Sequence, residues 1–203
     1  MRDEIVRYGK LLYDRGLLAG TAGNISVRSG ADEMLITPSG ACKGMLDEKD
    51  LVKVRISDGA PLEGGRPSIE TPFHLAFYRK RPEVNAVVHT HPVYCTTLAV
   101  MGREVIPSII PEGLLVLGKE VPMVPYGTPG SAQLAAHLNE AAAEGDAFLM
   151  EMHGALTVGK DLKQAAHRME TLEFVAKVQY LAEMSGGLRL LPREEAERIL
   201  AMR

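Results

Sequence analysis

His89-Thr90-His91 is the part of this chain whose residue types and spacing most directly suggest chemistry. On a strand, residues i and i+2 project to one face, so two imidazoles placed this way can converge on one point. A neutral imidazole offers its lone pair to a metal ion. Taken alone, the pair also fits two histidines facing solvent at a strand end. Two further features favour a metal. The residues before the pair, Val84 to Val88, are apolar enough for a buried strand whose end should lie at a cleft. A third histidine, His153, also follows an apolar stretch, Ala147 to Met150, and is followed at once by Gly154. Three neutral imidazoles with a fourth position left open make the usual shell of a catalytic Zn²⁺ ion.

Glu70 is the carboxylate that could work beside such an ion. It opens a stretch of helical character that carries Phe73 and Phe77 on its apolar face. A carboxylate in that place is either a favourable charge at a helix N-terminus or an acid/base group. His74 lies four residues on, along the same helical face; it is a fourth ligand or, on the commoner pattern, a packing or supporting residue. Cys95, four residues after His91, is a further ligand to be checked. His137 and His167 fall within helical stretches without acidic or cysteine partners in pattern, and read as structural or exposed. Three small-residue loops, Thr21-Ala22-Gly23-Asn24, Thr37-Pro38-Ser39-Gly40 and Pro67-Ser68, offer backbone N–H groups, hydroxyls and an amide. Such groups can cradle a phosphate without a lysine. Each is also an ordinary turn, and none matches a Walker or dinucleotide fingerprint.

The elements that must position these groups follow from periodicity and punctuation. Residues 2–18 and Ile69 to Tyr78 are predicted as helices, with Pro72 tolerated in the first turn of the second. Further helices are expected over Val93 to Met101, Ser131 to Ala143 (capped by Ser131 or Thr128), Asp161 to about Met184, and Pro192 to Met202. Strands are expected around Ile25-Ser26-Val27, over Met34 to Thr37, Leu51 to Ile56, Val84 to His91, and Ala147 to Met150. DGAPLEGGRP (58–67) reads as a loop, and 102–130 as short strands and loops. The pattern is that of one α/β domain, residues 1–203, around a sheet of short strands.

Composition bounds the function classes. The chain has 203 residues, 46% of them hydrophobic, enough for a sizeable core. A net charge of -3 with scattered basic residues gives no general attraction to nucleic acid or to anionic membranes. No apolar run approaches the roughly 20 residues of a membrane span, and the N-terminal segment MRDEIVRYGKLL lacks a signal-peptide core. Two cysteines, Cys42 and Cys95, more than fifty positions apart, read as reduced thiols of a cytoplasmic protein.

The ordered blocks GTAGNISVR, LITPSG, PSIETPFH, NAVVHTHP and MEMHGAL span nearly the whole chain and resemble the class II aldolase/adducin family, most closely its L-fuculose-1-phosphate aldolases. The resemblance implies a single α/β domain with a central, mainly antiparallel sheet flanked by helices. It implies Zn²⁺ on His89, His91 and His153, and Glu70 as the acid/base. Gly23, Asn24, Ser39, Gly40 and Ser68 would hold the substrate phosphate. It further implies a homotetramer with active sites at subunit boundaries. The activity implied is reversible retro-aldol cleavage of a small ketose 1-phosphate to dihydroxyacetone phosphate and an aldehyde. The alternatives are a ribulose-phosphate 4-epimerase-like isomerase, which the family builds with aspartate where this chain has Glu70, or a dehydratase or decarboxylase. A non-catalytic module of the adducin type is disfavoured because all three histidines are kept. Several positions depart from the aldolase pattern: Ile69 stands where a second phosphate-binding serine is expected, Pro111 and Pro129 where aromatic residues are expected, and the tail after Glu194 has no tyrosine. Phosphate binding is therefore expected to be weaker or absent, and the aldehyde partner is left open. Glu112 and Tyr126 lie nearby as candidate replacements.

Overall fold

The computed structural model describes residues 1–143 and 145–203. Its organising element is an eight-stranded sheet with spatial order β4-β3-β2-β1-β5-β8-β7-β6. The strands are β1 (Asn24–Gly30), β2 (Glu33–Ile36), β3 (Val52–Arg55), β4 (Pro61–Glu63), β5 (Ala86–Thr90), β6 (Met123–Val124), β7 (Ala147–Met150) and β8 (Gly154–Gly159). Only the β6–β7 pair is parallel; the other neighbours run antiparallel. The mainly antiparallel α/β architecture implied by the family resemblance is therefore the one observed.

Alternation along the central strands divides the molecule into two apolar layers. Ile25, Val27, Ala86, Val88 and Ala155 face a core shared with α1 (Arg2–Asp14), α3 (Val93–Val100) and α6 (Leu162–Met184). Val87, Leu156 and Val158 face the opposite core, shared with α2 (Thr71–Lys80) and α5 (Ala132–Ala141). Two short helices, α4 (Pro111–Leu117) and α7 (Arg193–Leu200), complete the chain. The expected caps are in place: Asp161 accepts from Gln164 N at 2.7 Å, and Ser131 from Leu134 N at 3.1 Å.

Two expectations need correction, and one strand was not anticipated. The 58–67 loop contains β4, an exposed edge strand that begins at a proline, where the missing N–H costs no ladder bond. The 102–130 stretch contains a helix, α4, with Pro111 in its first turn and Gly118 at its end; its short apolar run LLVL looks like a strand. Finally, GALTVG after His153 forms β8, buried throughout and pairing with both β5 and β7. A strand covered on both faces has no alternation to reveal it. Among the described residues, no helix is long and apolar enough to cross a membrane.

Candidate metal centre and active site

Antiparallel register brings the chemical groups together. Asn24 of β1 stands opposite His89 of β5, and alternation turns the Asn24 and His89 side chains away from the α1/α6 layer. Gly23, with φ +74°, makes this approach possible, because a Cβ there would sit 2.6 Å from the His89 carbonyl oxygen. On the other side of β5, the β7–β8 hairpin turns through Glu151, Met152 and His153. Met152 adopts a positive φ of 53°, a left-handed conformation that a non-glycine residue takes at some cost. Gly154 follows, and its lack of a Cβ lets His91 lie against it.

The three imidazoles thus meet at the end of the sheet. Ring centroids are 4.8 Å apart for His89–His91 and His89–His153, and 5.0 Å for His91–His153. His89 Nδ1 donates to the Ala155 carbonyl oxygen at 2.9 Å, which leaves Nε2 as the lone-pair nitrogen facing the cluster. That Nε2 lies 3.0 Å from His91 Nε2. Two nitrogens on a tetrahedral Zn²⁺ would stand about 3.3 Å apart, given bonds of 2.0–2.1 Å. One ligand atom from each histidine lies within 4.8 Å of the others. Burial holds all three imidazoles neutral, with His89 well below its ordinary range and His153 pushed down to about 4. The neighbouring rings add to the effect on His89 and His153, and the Lys43 charge adds to it on His91. The donor set therefore suits a divalent metal ion.

Glu70 stands over the cluster. It is the N-cap residue of α2 and is only 6% exposed. Its Oε2 lies 3.4 Å from His89 Nε2 and its Oε1 3.3 Å from His153 Nε2. With the imidazoles neutral, these are close approaches rather than ion pairs, and Oε1 has no hydrogen-bond partner. Burial pushes the Glu70 carboxyl above its usual range, while an Asn24 hydrogen bond and the Lys43 charge oppose the shift. A buried carboxyl raised in this way is suited to exchange a proton with a bound molecule.

A buried polar chain fixes Glu70. Asn24 Nδ2 donates to Glu70 Oε2 at 2.7 Å and to Ser68 Oγ at 3.1 Å. Ser68 Oγ also accepts from Glu70 N at 3.2 Å. Because the Asn24 amide nitrogen serves a carboxylate, its Oδ1 is the atom that accepts from His74 Nε2, at 2.5 Å. His74 Nδ1 then accepts from Ser26 Oγ at 2.7 Å, and Ser26 Oγ accepts from Tyr78 Oη at 2.8 Å. His74 is fully buried, and burial pushes its imidazole down to about 3, so it stays neutral. It supports the site rather than joining the histidine cluster.

A cavity of about 270 Å³ opens beside these groups. His91, His153 and Glu70 line it, together with residues 21–24, 38–40, Lys43, Ser68, Ile69 and Pro129. Of the site residues expected from sequence, Gly23, Asn24, Ser39, Gly40 and Ser68 all border it, and His89 lies buried beside them. Cys95 is excluded as a ligand: it sits in the α3 core, its N–H bonded to Glu173 Oε2 at 2.9 Å. His137 bonds the Pro125 carbonyl oxygen and His167 is exposed, both outside the cluster. Pro111, Glu112 and Tyr126 do not border this cavity. Sequence reasoning missed Lys43, a lysine in a glycine-rich stretch with no periodicity to mark it as buried.

Three converging imidazoles, a buried carboxylate and small-residue loops at the end of a mainly antiparallel sheet form a site that could hold a metal ion beside an acid/base group. The chain belongs to the class II aldolase/adducin family: the model of the Class II Aldolase and Adducin N-terminal domain matches residues 3–180. It is 40% identical over 185 residues to a 3-oxo-tetronate 4-phosphate decarboxylase of Escherichia coli K12, covering 89% of this chain and 86% of that protein. A 5-deoxy-D-ribulose 1-phosphate aldolase of Bacillus thuringiensis serovar kurstaki is 37% identical over 200 residues, covering 98% and 92%. A solved L-fuculose 1-phosphate aldolase superposes with a TM-score of 0.91 at 34% identity, covering 99% and 94%.

Proposed function

We propose that this chain is a Zn²⁺-dependent carbon–carbon lyase that cleaves a small ketose 1-phosphate to dihydroxyacetone phosphate and an aldehyde. The observation that carries the reading is the placement of Glu70, 3.3–3.4 Å from two of three converging neutral imidazoles at the edge of a cavity. His89, His91 and His153 would hold the ion, which when bound supplies Lewis acidity to the substrate's carbonyl and hydroxyl oxygens. Gly23, Asn24, Ser39, Gly40 and Ser68 bind the phosphate through backbone and side-chain donors. Glu70 moves the proton: it takes the C4 hydroxyl proton as the C3–C4 electron pair passes toward the C2 carbonyl, and delivers it to C3. Asn24 keeps the Glu70 carboxylate turned toward the reacting atoms.

A second reading, loss of CO₂ from a phosphorylated 3-oxo acid, is favoured by the 40% identity to a 3-oxo-tetronate 4-phosphate decarboxylase. Pro129, where an aromatic residue was expected, lines the cavity and offers no side-chain donor to the hydroxyl groups of an aldehyde fragment. In that reaction Glu70 protonates the carbon that has lost its carboxylate. A glutamate rather than an aspartate at position 70 favours either lyase over epimerisation.

For the assembly, we propose a homotetramer with active sites at subunit boundaries. Val93, Val100 and Phe174, exposed on α3 and α6, offer apolar surface for it. Free Cys42 and Cys95 suit the reducing cytoplasm. The deciding experiment incubates the zinc-loaded protein with four- to six-carbon ketose 1-phosphates and with 3-oxo-acid phosphates, and identifies the products. Aldehyde plus dihydroxyacetone phosphate supports the first reading and CO₂ the second. Inactivity toward both classes, in protein with zinc bound, sinks the proposal.

A further inference from the structure

Lys43 is the feature of the cavity that the loops and the histidine cluster leave unexplained. It opens a single turn, Lys43–Met45, that packs against α1, and its side chain is 2% exposed. Its ammonium donates to the carbonyl oxygens of Thr21, at 2.5 Å, and Ala41, at 2.9 Å. These acceptors lie in two different loops, the one leading to Gly23-Asn24 and the one following Ser39-Gly40. An ammonium has three donors, so the two carbonyls leave one N–H to spend. Among the described residues, no carboxylate lies within ion-pair distance of Nζ. A buried cation without an anionic partner is costly to keep. The side chain borders the cavity, and its charge is felt by Glu70 and His91. Burial lowers it to about 8, with Cys42 and Glu70 opposing the shift, so it is still largely charged at neutral pH.

We infer that Lys43 is the cation that binds the substrate phosphate, held between the two loops and standing in for the hydroxyl absent at Ile69. Ile69 also borders the cavity but offers no side-chain donor. A dianionic phosphate supplies the counter-charge that the fold withholds from Lys43, while the N–H groups of the loops set its orientation. This inference rests on the phosphorylated-substrate reading above, and it revises the expectation that the loss of a serine weakens phosphate binding.

The test uses the zinc-loaded full chain and inorganic phosphate, measured by calorimetry, so that it needs no turnover. Lys43→Met should weaken phosphate binding about 10- to 100-fold and leave zinc content unchanged. Wild-type affinity should fall as pH rises through about 8, whereas Lys43→Arg, which stays charged, should hold its affinity over that range. If Lys43→Met fails to fold, the comparison of wild type with Lys43→Arg across pH carries the test. Phosphate bound equally by wild type and Lys43→Met, or an identical pH dependence in wild type and Lys43→Arg, overturns the inference. Phosphate binding that depends on Lys43 in a protein inactive toward every sugar phosphate would support this assignment while refuting the proposed reaction. Equal turnover of phosphorylated and unphosphorylated substrates, unchanged by Lys43→Met, would do the reverse.

Discussion

Replacing Gly154 with alanine would put a methyl carbon 2.6 Å from the Thr90 carbonyl oxygen and 2.7 Å from His91 Cδ2. Unstrained contacts between such atoms begin near 3.5 Å, so roughly 0.8 Å must be found on each side. The Thr90 oxygen belongs to the β5–β8 ladder and has little freedom; the His91 ring, half-buried beyond the strand end, has more. The ring should therefore give way, carrying its Nε2 out of line with His89. Metal sites tolerate about 0.2 Å of error in ligand distance, so a shift of several tenths cannot be absorbed. Overpacking of this kind costs about 1–3 kcal/mol. If it falls wholly on the metal-bound state, zinc affinity drops about 5- to 150-fold. If it falls on the strand pairing, the metal-free protein instead loses a few degrees of Tm, at about 2–4 °C per kcal/mol. Zinc titration against a chromophoric chelator, with thermal unfolding of the metal-free protein, separates the two. Wild-type zinc affinity with wild-type Tm would show that the close approach does not hold His91, and the reasoning about the His-Gly pair would fail.

Two further outcomes test the acid/base and support groups. Glu70→Gln should keep bound zinc, since the carboxylate is not among the three imidazole donors, but lower turnover about 10²- to 10⁴-fold. Carbon–proton exchange on dihydroxyacetone phosphate that continues in this variant would point to another base. Acid should destabilise the metal-free protein through its buried neutral histidines, His74 at about 3 and His153 at about 4, against an ordinary 6.5. Below pH 6.5 the unfolded imidazoles take up protons that the folded ones refuse, so stability rises with pH up to about 6.5 and falls below it, by up to about 1.4 kcal/mol per pH unit for each. Denaturant unfolding of wild type and His74→Gln between pH 7 and 4 should give a shallower slope for the variant. Equal slopes would remove His74 from the account.

The sequence announced this site unevenly, for physical reasons. His89 and His91 were legible because a two-residue spacing on a strand means one face. His153 was not attached to them by any local pattern. Its place depends on β8, a strand without alternation, and on a hairpin whose turn rests on a positive φ at Met152. Asn24 was visible as part of a small-residue loop, where its backbone drew attention. In the fold its side chain matters most, joining Glu70, Ser68 and His74 across sequence separations of more than forty residues. Lys43 had no periodicity to suggest burial, and its turn is pinned from outside: a Cβ at Gly9 of α1 would lie 2.9 Å from the Lys43 carbonyl oxygen. Local pattern thus exposed the groups whose role follows from their own strand or helix, and concealed those placed by pairing with distant segments.

The same division bears on the choice between the two proposed reactions. Retro-aldol cleavage and decarboxylation both leave electron density on the carbon beside a carbonyl, and both need one proton delivered there. The groups suited to those common demands, the three imidazoles and Glu70 with Asn24 behind it, are buried or half-buried and come from one chain, with hydrogen bonds holding His89 and Glu70. What distinguishes the reactions is the departing fragment, an aldehyde with its own hydroxyl groups or a molecule of CO₂. That fragment must leave on the side away from the loops that hold the phosphate. Of the positions where this chain departs from the aldolase pattern, Pro129 borders the cavity and therefore bears on the leaving group rather than on the metal or the proton. An aldehyde needs its hydroxyl groups positioned as it forms, whereas CO₂ needs only an apolar exit, and a proline wall offers no donor to the first and no obstacle to the second.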